Sequence, residues 1–185
     1  MYKCLTKNEF IVNDYSIKPI ERSCIEPIRI WRNKQMDVLR QKNIITSQQQ
    51  SNYFEKNVWP LYNDIQPNQL LFSYYKKDEF IGYGGLVNIS WEDQRAEMSF
   101  LINPSYTQPD DLYDELFSSF ISLIKKVVFD HLKFHKLFTE TYAHRTFHIS
   151  ILEKNGFILD GILRDHIIIN GKFTNSLMHS ILKNV

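Results

Sequence analysis

Between residues 112 and 128 the apolar residues Leu112, Leu116, Phe120, Leu123, Ile124, Val127 and Val128 recur at intervals of three and four. That spacing lines one face of a helix, and Asp110 with Asp111 places negative charge where a helix begins. Upstream the period changes to two. Residues 70–75, 80–90 and 95–102 read as three strands of an antiparallel meander, parted by the polar turns 76–79 and 91–94. Residues 10–20 read as extended, and residues 21–33 as a helix carrying Cys24, Ile25, Ile28 and Trp31 at helical spacing. Residues 34–52 show little periodicity, and Tyr53, Phe54, Val58 and Leu61 mark a second helix that Pro60 interrupts. After the long helix come a strand at 136–142, a helix at 144–155 closed by Gly156, and two strands around Asn170 and Gly171. The sum is an α/β domain: a mixed sheet covered by helices, with the long helix crossing between two strands that run parallel.

Composition narrows the function. The 185 residues are 43% hydrophobic and 14% aromatic, enough for one core, and neither linker nor repeat divides the chain, so residues 1–185 read as a single domain. Lys and Arg number 22 against 21 Asp and Glu. A net charge of +1 lacks the electrostatic footprint of a nucleic-acid binder. Two cysteines, Cys4 and Cys24, make neither a disulfide scaffold nor a zinc knuckle, so reduced thiols are expected. No leader-like apolar core opens the chain and no window nears about 18 uncharged apolar residues, so a soluble, cytoplasmic protein without membrane contact is expected. His131 with His135 and His144 with His148 stand four apart, but neither pair has the glutamate of the zinc-protease pattern, and no metal is expected.

Several segments taken in order carry more specific information: Ala96 to Pro104 (AEMSFLINP), Leu152 to Phe157 (LEKNGF), Gly161 to Arg164 (GILR) and Asn170 to Lys172 (NGK). Together they resemble the GNAT superfamily of acyl-coenzyme A N-acyltransferases. The ribosomal-protein-alanine branch, which also contains amino-sugar-nucleotide acetyltransferases, is the most similar, and Trp31, Arg32 and Asn33 are similar to the end of its first helix. The resemblance implies a GNAT fold: a sheet of about seven strands in which two parallel strands splay into a V that admits the pantetheine arm of acetyl-CoA. By the match, those strands are 95–102 and 136–142.

The implied activity is direct transfer of acetyl from acetyl-CoA to a primary amine, with no covalent acyl-enzyme. Glu97 matches the family's strand carboxylate and by that match would be the general base; on pattern alone it reads rather as a solvent-facing strand residue. Backbone N–H groups of Phe100, Leu101 and Ile102 would bind the thioester and its oxyanion. The family's glycine-rich pyrophosphate loop aligns with Thr107, Gln108, Pro109, Asp110, Asp111 and Leu112, which contain no glycine and two carboxylates. Thr107, Gln108, Asp111 and Leu112 are nonetheless the residues the match places at the diphosphate, and Arg145 stands where the family has an asparagine that touches the cofactor. The tyrosine that many members use to protonate the leaving thiol is Leu152 here, with Tyr142, Tyr106 and Tyr113 as possible substitutes. Trp31, Arg32, Asn33, Tyr83, Arg164 and His166 would bind the acceptor, a set suited to a nucleotide-linked amino sugar. A protein N-terminus is the other acceptor, and a GNAT-like module that binds without catalysing is the rival from another class. A monomer and a homodimer are equally compatible with the sequence.

Overall fold

The protein is described here through a computed structural model covering residues 2–7 and 9–183. The first extended stretch is a hairpin rather than one strand: β1 (Phe10–Val12) and β2 (Tyr15–Pro19) pair antiparallel, with Asn13 in the left-handed region at φ 52°. Asparagine tolerates that conformation, so Asn13 and Asp14 reverse the chain and the sheet gains a strand over the seven expected. A turn of 3-10 helix leads into α1 (Ile25–Lys34). The second helix, α2 (Ser47–Asn57), starts inside the stretch that lacks periodicity, because Thr46 and Gln49 form a reciprocal capping box.

β3 (Leu70–Lys76), β4 (Glu79–Ser90) and β5 (Arg95–Ile102) form the expected meander. Helix α3 (Asp111–Lys125), prolonged by a π-helical turn, then carries the chain to β6 (Lys136–Tyr142). Helix α4 (Thr146–Lys154) ends where Gly156 takes φ 88° and Phe157 N–H donates to the Leu152 carbonyl at 3.0 Å. With the Gly156 N–H donating to the Glu153 carbonyl at 2.9 Å, this is a Schellman closure, which a glycine makes without Cβ strain. The hairpin of β7 (Ile158–Ile169) and β8 (Lys172–Leu182) completes an eight-stranded sheet of order β1-β2-β3-β4-β5-β6-β8-β7. No helix among the described residues is long and apolar enough to cross a membrane.

Two apolar clusters cover opposite faces of the sheet. Phe117, Phe120, Leu123 and Ile124 of α3 are fully buried against Ile17, Phe72, Tyr74 and Leu86. On the other face, Ile28 and Trp31 of α1 and Phe54 of α2 pack on Leu71, Tyr83 and Leu101. Gly84 lies where β4 passes between β5 and α3. A Cβ there would sit 2.1 Å from the Ser99 carbonyl oxygen and 2.8 Å from the Phe120 ring. Gly84→Ala therefore forces the backbone apart, and urea unfolding should show a loss of about 1–3 kcal/mol.

The feature that positions the site is the pairing of β5 with β6. The two strands run parallel but pair only at Arg95, Ala96 and Glu97, opposite Lys136, Leu137 and Phe138. Beyond that they part, although β6 stays paired to β8 over its whole length. The Thr139 hydroxyl donates to the Met98 carbonyl at 3.2 Å and marks the vertex of the opening.

Candidate active site

The opening exposes one edge of β5. Carbonyls of Met98 and Ile102 are reached from that side, by Thr139 and by the Gln35 amide at 2.9 Å, whereas Asn103 N–H turns to β4 and bonds Ile81. Strand alternation therefore directs the N–H and C=O of Phe100 into the gap as well. A cavity of about 290 Å³ continues from this edge, bounded by Phe100, Ile102, Thr107, Pro109, Tyr113 and Arg145.

Around it the sequence-derived cofactor residues are arranged unevenly. Thr107 lines the cavity, with its hydroxyl turned to the Pro104 carbonyl at 2.9 Å. Gln108 accepts from Asp110 N–H through its carbonyl, and Asp110 caps α3 by accepting from Tyr113 N–H at 2.9 Å. Asp111 is the first residue of α3, and the Leu112 side chain is exposed. Across the cavity, Arg145 at the start of α4 donates to the Tyr113 hydroxyl and to His148 Nδ1, each at 3.3 Å. Burial drives the His148 pKa well down and the Arg145 charge adds to it, so the imidazole is neutral. Its Nδ1 accepts from Tyr113 and Arg145, while the ring stacks on Phe117 at 4.0 Å. The free strand edge, a guanidinium and two helix N-termini are the donor set a pantetheine diphosphate requires. Asp110 is spent as a cap, which leaves Asp111 as the uncompensated acidic group there.

A second cavity, of about 300 Å³, opens on the α1 and α2 face of the sheet. Parallel register puts Glu97, Glu140 and Tyr142 on that face. Glu97 is only 6% exposed, and both its oxygens are occupied: Oε1 accepts from Arg40 Nη2 at 2.7 Å and Oε2 from Asn88 Nδ2 at 2.6 Å. Asn88 reaches it because β4 bulges there, with φ 47°. The same Arg40 nitrogen donates to Glu140 Oε2, and His166 Nε2 lies 3.8 Å from Glu140 Oε1. Burial pushes the Glu140 carboxyl up, but the nearby Ser176 hydroxyl, the Arg40 hydrogen bond and charge, and His166 together outweigh it and hold its pKa below the ordinary value. Two nearly buried carboxylates thus share one guanidinium from the segment between α1 and α2.

A third cavity, of about 410 Å³, adjoins this one through Arg32, Val87 and Ser99. Four amides, from Asn43, Gln49, Gln50 and Gln69, line it beside Tyr53 and Tyr83, and no carboxylate does. Arg32 donates to the Tyr83 hydroxyl at 2.7 Å and to Gln41. Trp31 packs inward, its ring stacked on Phe80 at 4.8 Å. Asn33 pins residue 45 through both its backbone N–H and C=O, and so shapes the loop before α2. Arg164 is exposed on β7 and makes no hydrogen bond or ion pair among the described residues. The structure thus places Glu97 at one cavity, Tyr83 at the next and Arg32 at both, with His166 near Glu140 but outside the cavity lining and Trp31, Asn33 and Arg164 elsewhere. Arg40, Asn88 and Glu140 join the site without having been singled out by pattern, and His148, noted only for its spacing from His144, joins it as well.

A family model described as an acetyltransferase (GNAT) domain matches residues 17–178. The chain belongs to the GNAT acetyltransferase family. It is an N-acetyltransferase that uses acetyl-CoA as acyl donor. Among solved structures, the chain is similar to the spermidine N-acetyltransferase of Vibrio cholerae bound to CoA and spermine: TM-score 0.79, 17% identity, 93% of this chain and 97% of the other covered. It is also similar to that organism's spermidine/spermine N-acetyltransferase in complex with manganese ions, with TM-score 0.75, 17% identity, and 92% and 93% covered. At such identity these likenesses establish a shared fold. No curated protein matches the chain.

Proposed function

We propose that this GNAT protein acetylates the amine of a hydroxyl-rich acceptor, a nucleotide-linked amino sugar, by direct attack within a ternary complex. The observation that carries this reading is the third cavity. Its amides and tyrosines suit sugar hydroxyls and a stacked ring face, and Arg32 suits an anionic carrier group. The reading keeps the protein in the ribosomal-protein-alanine branch on the side of the amino-sugar enzymes.

Glu97 takes the proton from the attacking nitrogen once Oε1 is released by Arg40. The Phe100 N–H, held rigidly at the free edge of β5, binds the oxyanion. Arg145 holds the diphosphate, and the neutral His148 and Tyr113 fix its guanidinium. Neither cysteine lines these cavities, consistent with transfer that needs no covalent acyl-enzyme.

The similar Vibrio cholerae proteins are named for polyamines, and the Glu97 and Glu140 pair would receive one ammonium group. A second ammonium would reach a cavity with an arginine and no anion. Steady-state assays with 4-amino-sugar nucleotides, spermidine, spermine and N-terminal peptides separate these acceptors. Turnover on the sugar nucleotides is expected; turnover confined to polyamines or peptides overturns the assignment. Acetyl-CoA at about 100 times its Kd should stabilise the fold by about 2.7 kcal/mol and raise Tm by about 5–10 °C. Absence of any shift at millimolar acetyl-CoA would favour a non-catalytic binding module.

A further inference from the structure

Breaking a thioester leaves a thiolate that must acquire a proton, and the position from which many GNAT proteins supply it is Leu152. Tyr106, Tyr113 and Tyr142 are the candidate substitutes, and their surroundings differ. Tyr106 donates to Glu79 Oε1 at 2.6 Å on the surface. The Tyr113 hydroxyl is tied to His148 Nδ1 at 2.7 Å. Tyr142 has no such commitment: it is buried, 5% exposed, yet among the described residues its hydroxyl has no hydrogen-bond partner. An orphaned buried hydroxyl is destabilising, a cost tolerated where the group acts on something that binds.

Its location agrees. Tyr142 lines the cavity that contains Glu97 and Glu140, on the same face of the sheet. Extending the β5–β6 register past its last pair, Glu97 with Phe138, sets Tyr142 across the opening from Leu101, one residue from the Phe100 N–H that meets the thioester.

Resting on the acetyltransferase reading, we propose that Tyr142 is the catalytic acid that protonates the departing thiol. As the tetrahedral intermediate collapses, the C–S bond breaks, its electron pair goes to sulfur, and sulfur takes the phenolic proton. The phenol is restored from its phenolate once the products leave and water enters, by a proton equal to the one Glu97 removed from the amine, so no other reactant is needed. Burial and the Glu140 charge raise the Tyr142 pKa, against the opposing charges of Arg40 and Arg145, and the group is therefore protonated at neutral pH.

The test compares wild type with Tyr142→Phe in thiol release from acetyl-CoA, using hydroxylamine as the amine. Hydroxylamine is unprotonated at neutral pH and small enough to need neither the base nor the acceptor cavity. The variant should lose about 10²-fold in kcat, with KM for acetyl-CoA and its thermal shift unchanged. Acetyl-seleno-CoA supplies the decisive arm, because a selenolate leaves without being protonated. The variant should then approach wild type to within a few fold. An equal loss with both esters assigns Tyr142 a packing role and overturns the proposal, as does an unchanged kcat with acetyl-CoA. Wild-type protein that releases thiol no faster than buffer removes the acetyltransferase reading itself.

Discussion

Glu97→Gln lowers kcat by about 10²- to 10³-fold with the acceptor amine while leaving the acetyl-CoA-induced rise in Tm in place. The amide is close in size to the carboxylate and keeps one oxygen for Arg40. Asn88 can rotate its own amide to accept where it now donates, so local packing survives. What disappears is the lone pair that takes a proton. Two readouts separate this from misfolding: an intact cofactor shift, and a much smaller loss when hydroxylamine replaces the protonated acceptor. A kcat within about twofold of wild type would remove Glu97 from proton transfer.

Phe117→Ala should be the most damaging single change to stability, at about 3–5 kcal/mol. Phe117 is fully buried, stacked on Phe100 at 4.7 Å and on His148 at 4.0 Å. Its removal opens a void beneath the free edge of β5 and releases the imidazole that steadies Arg145. For a chain of this size the melting temperature should fall by about 6–20 °C. KM for acetyl-CoA should rise with it, whereas Phe117→Leu should recover most of the stability. A drop of under about 1 kcal/mol in urea would show that the cavity collapses without consequence.

The two predictions concern elements of different legibility. The helix bearing Phe117 could be read from apolar spacing, the end of α4 from Gly156, and the last hairpin from Asn170 and Gly171, because one local interaction dominates each. Helix α2 was harder to read, since its first turns are Ser and Gln; its start is set by the bond between Thr46 and Gln49 rather than by apolar spacing. The split of β1 from β2 turned on one residue, Asn13, entering the left-handed region.

At the site, Glu97 stands out through the family resemblance of Ala96 to Pro104 rather than through the pattern of its own strand. Its partners come from a loop, a bulge and a neighbouring strand. Arg40 lies in a stretch without periodicity. Asn88 faces Glu97 only because β4 bulges, and Glu140 meets it only through a parallel register that spacing along one chain does not encode. Asp110, a liability when the loop is compared with a glycine-rich one, has its carboxylate occupied in capping α3. The arginine and aromatic residues expected at the acceptor divided by burial: Trp31 went to the core, and Tyr83 to a cavity wall.

The short seam between β5 and β6 has a mechanical consequence. Strands β1 to β5 form one plate and β6, β8 and β7 another, and three residue pairs with one threonine bond are what stitches the two near the vertex. Arg40 spans the gap from above, gripping Glu97 on one plate and Glu140 on the other. Under the proposed mechanism, a guest that displaces this guanidinium removes a tie between the two plates as it frees Glu97, which would couple admission of the acceptor to release of the base.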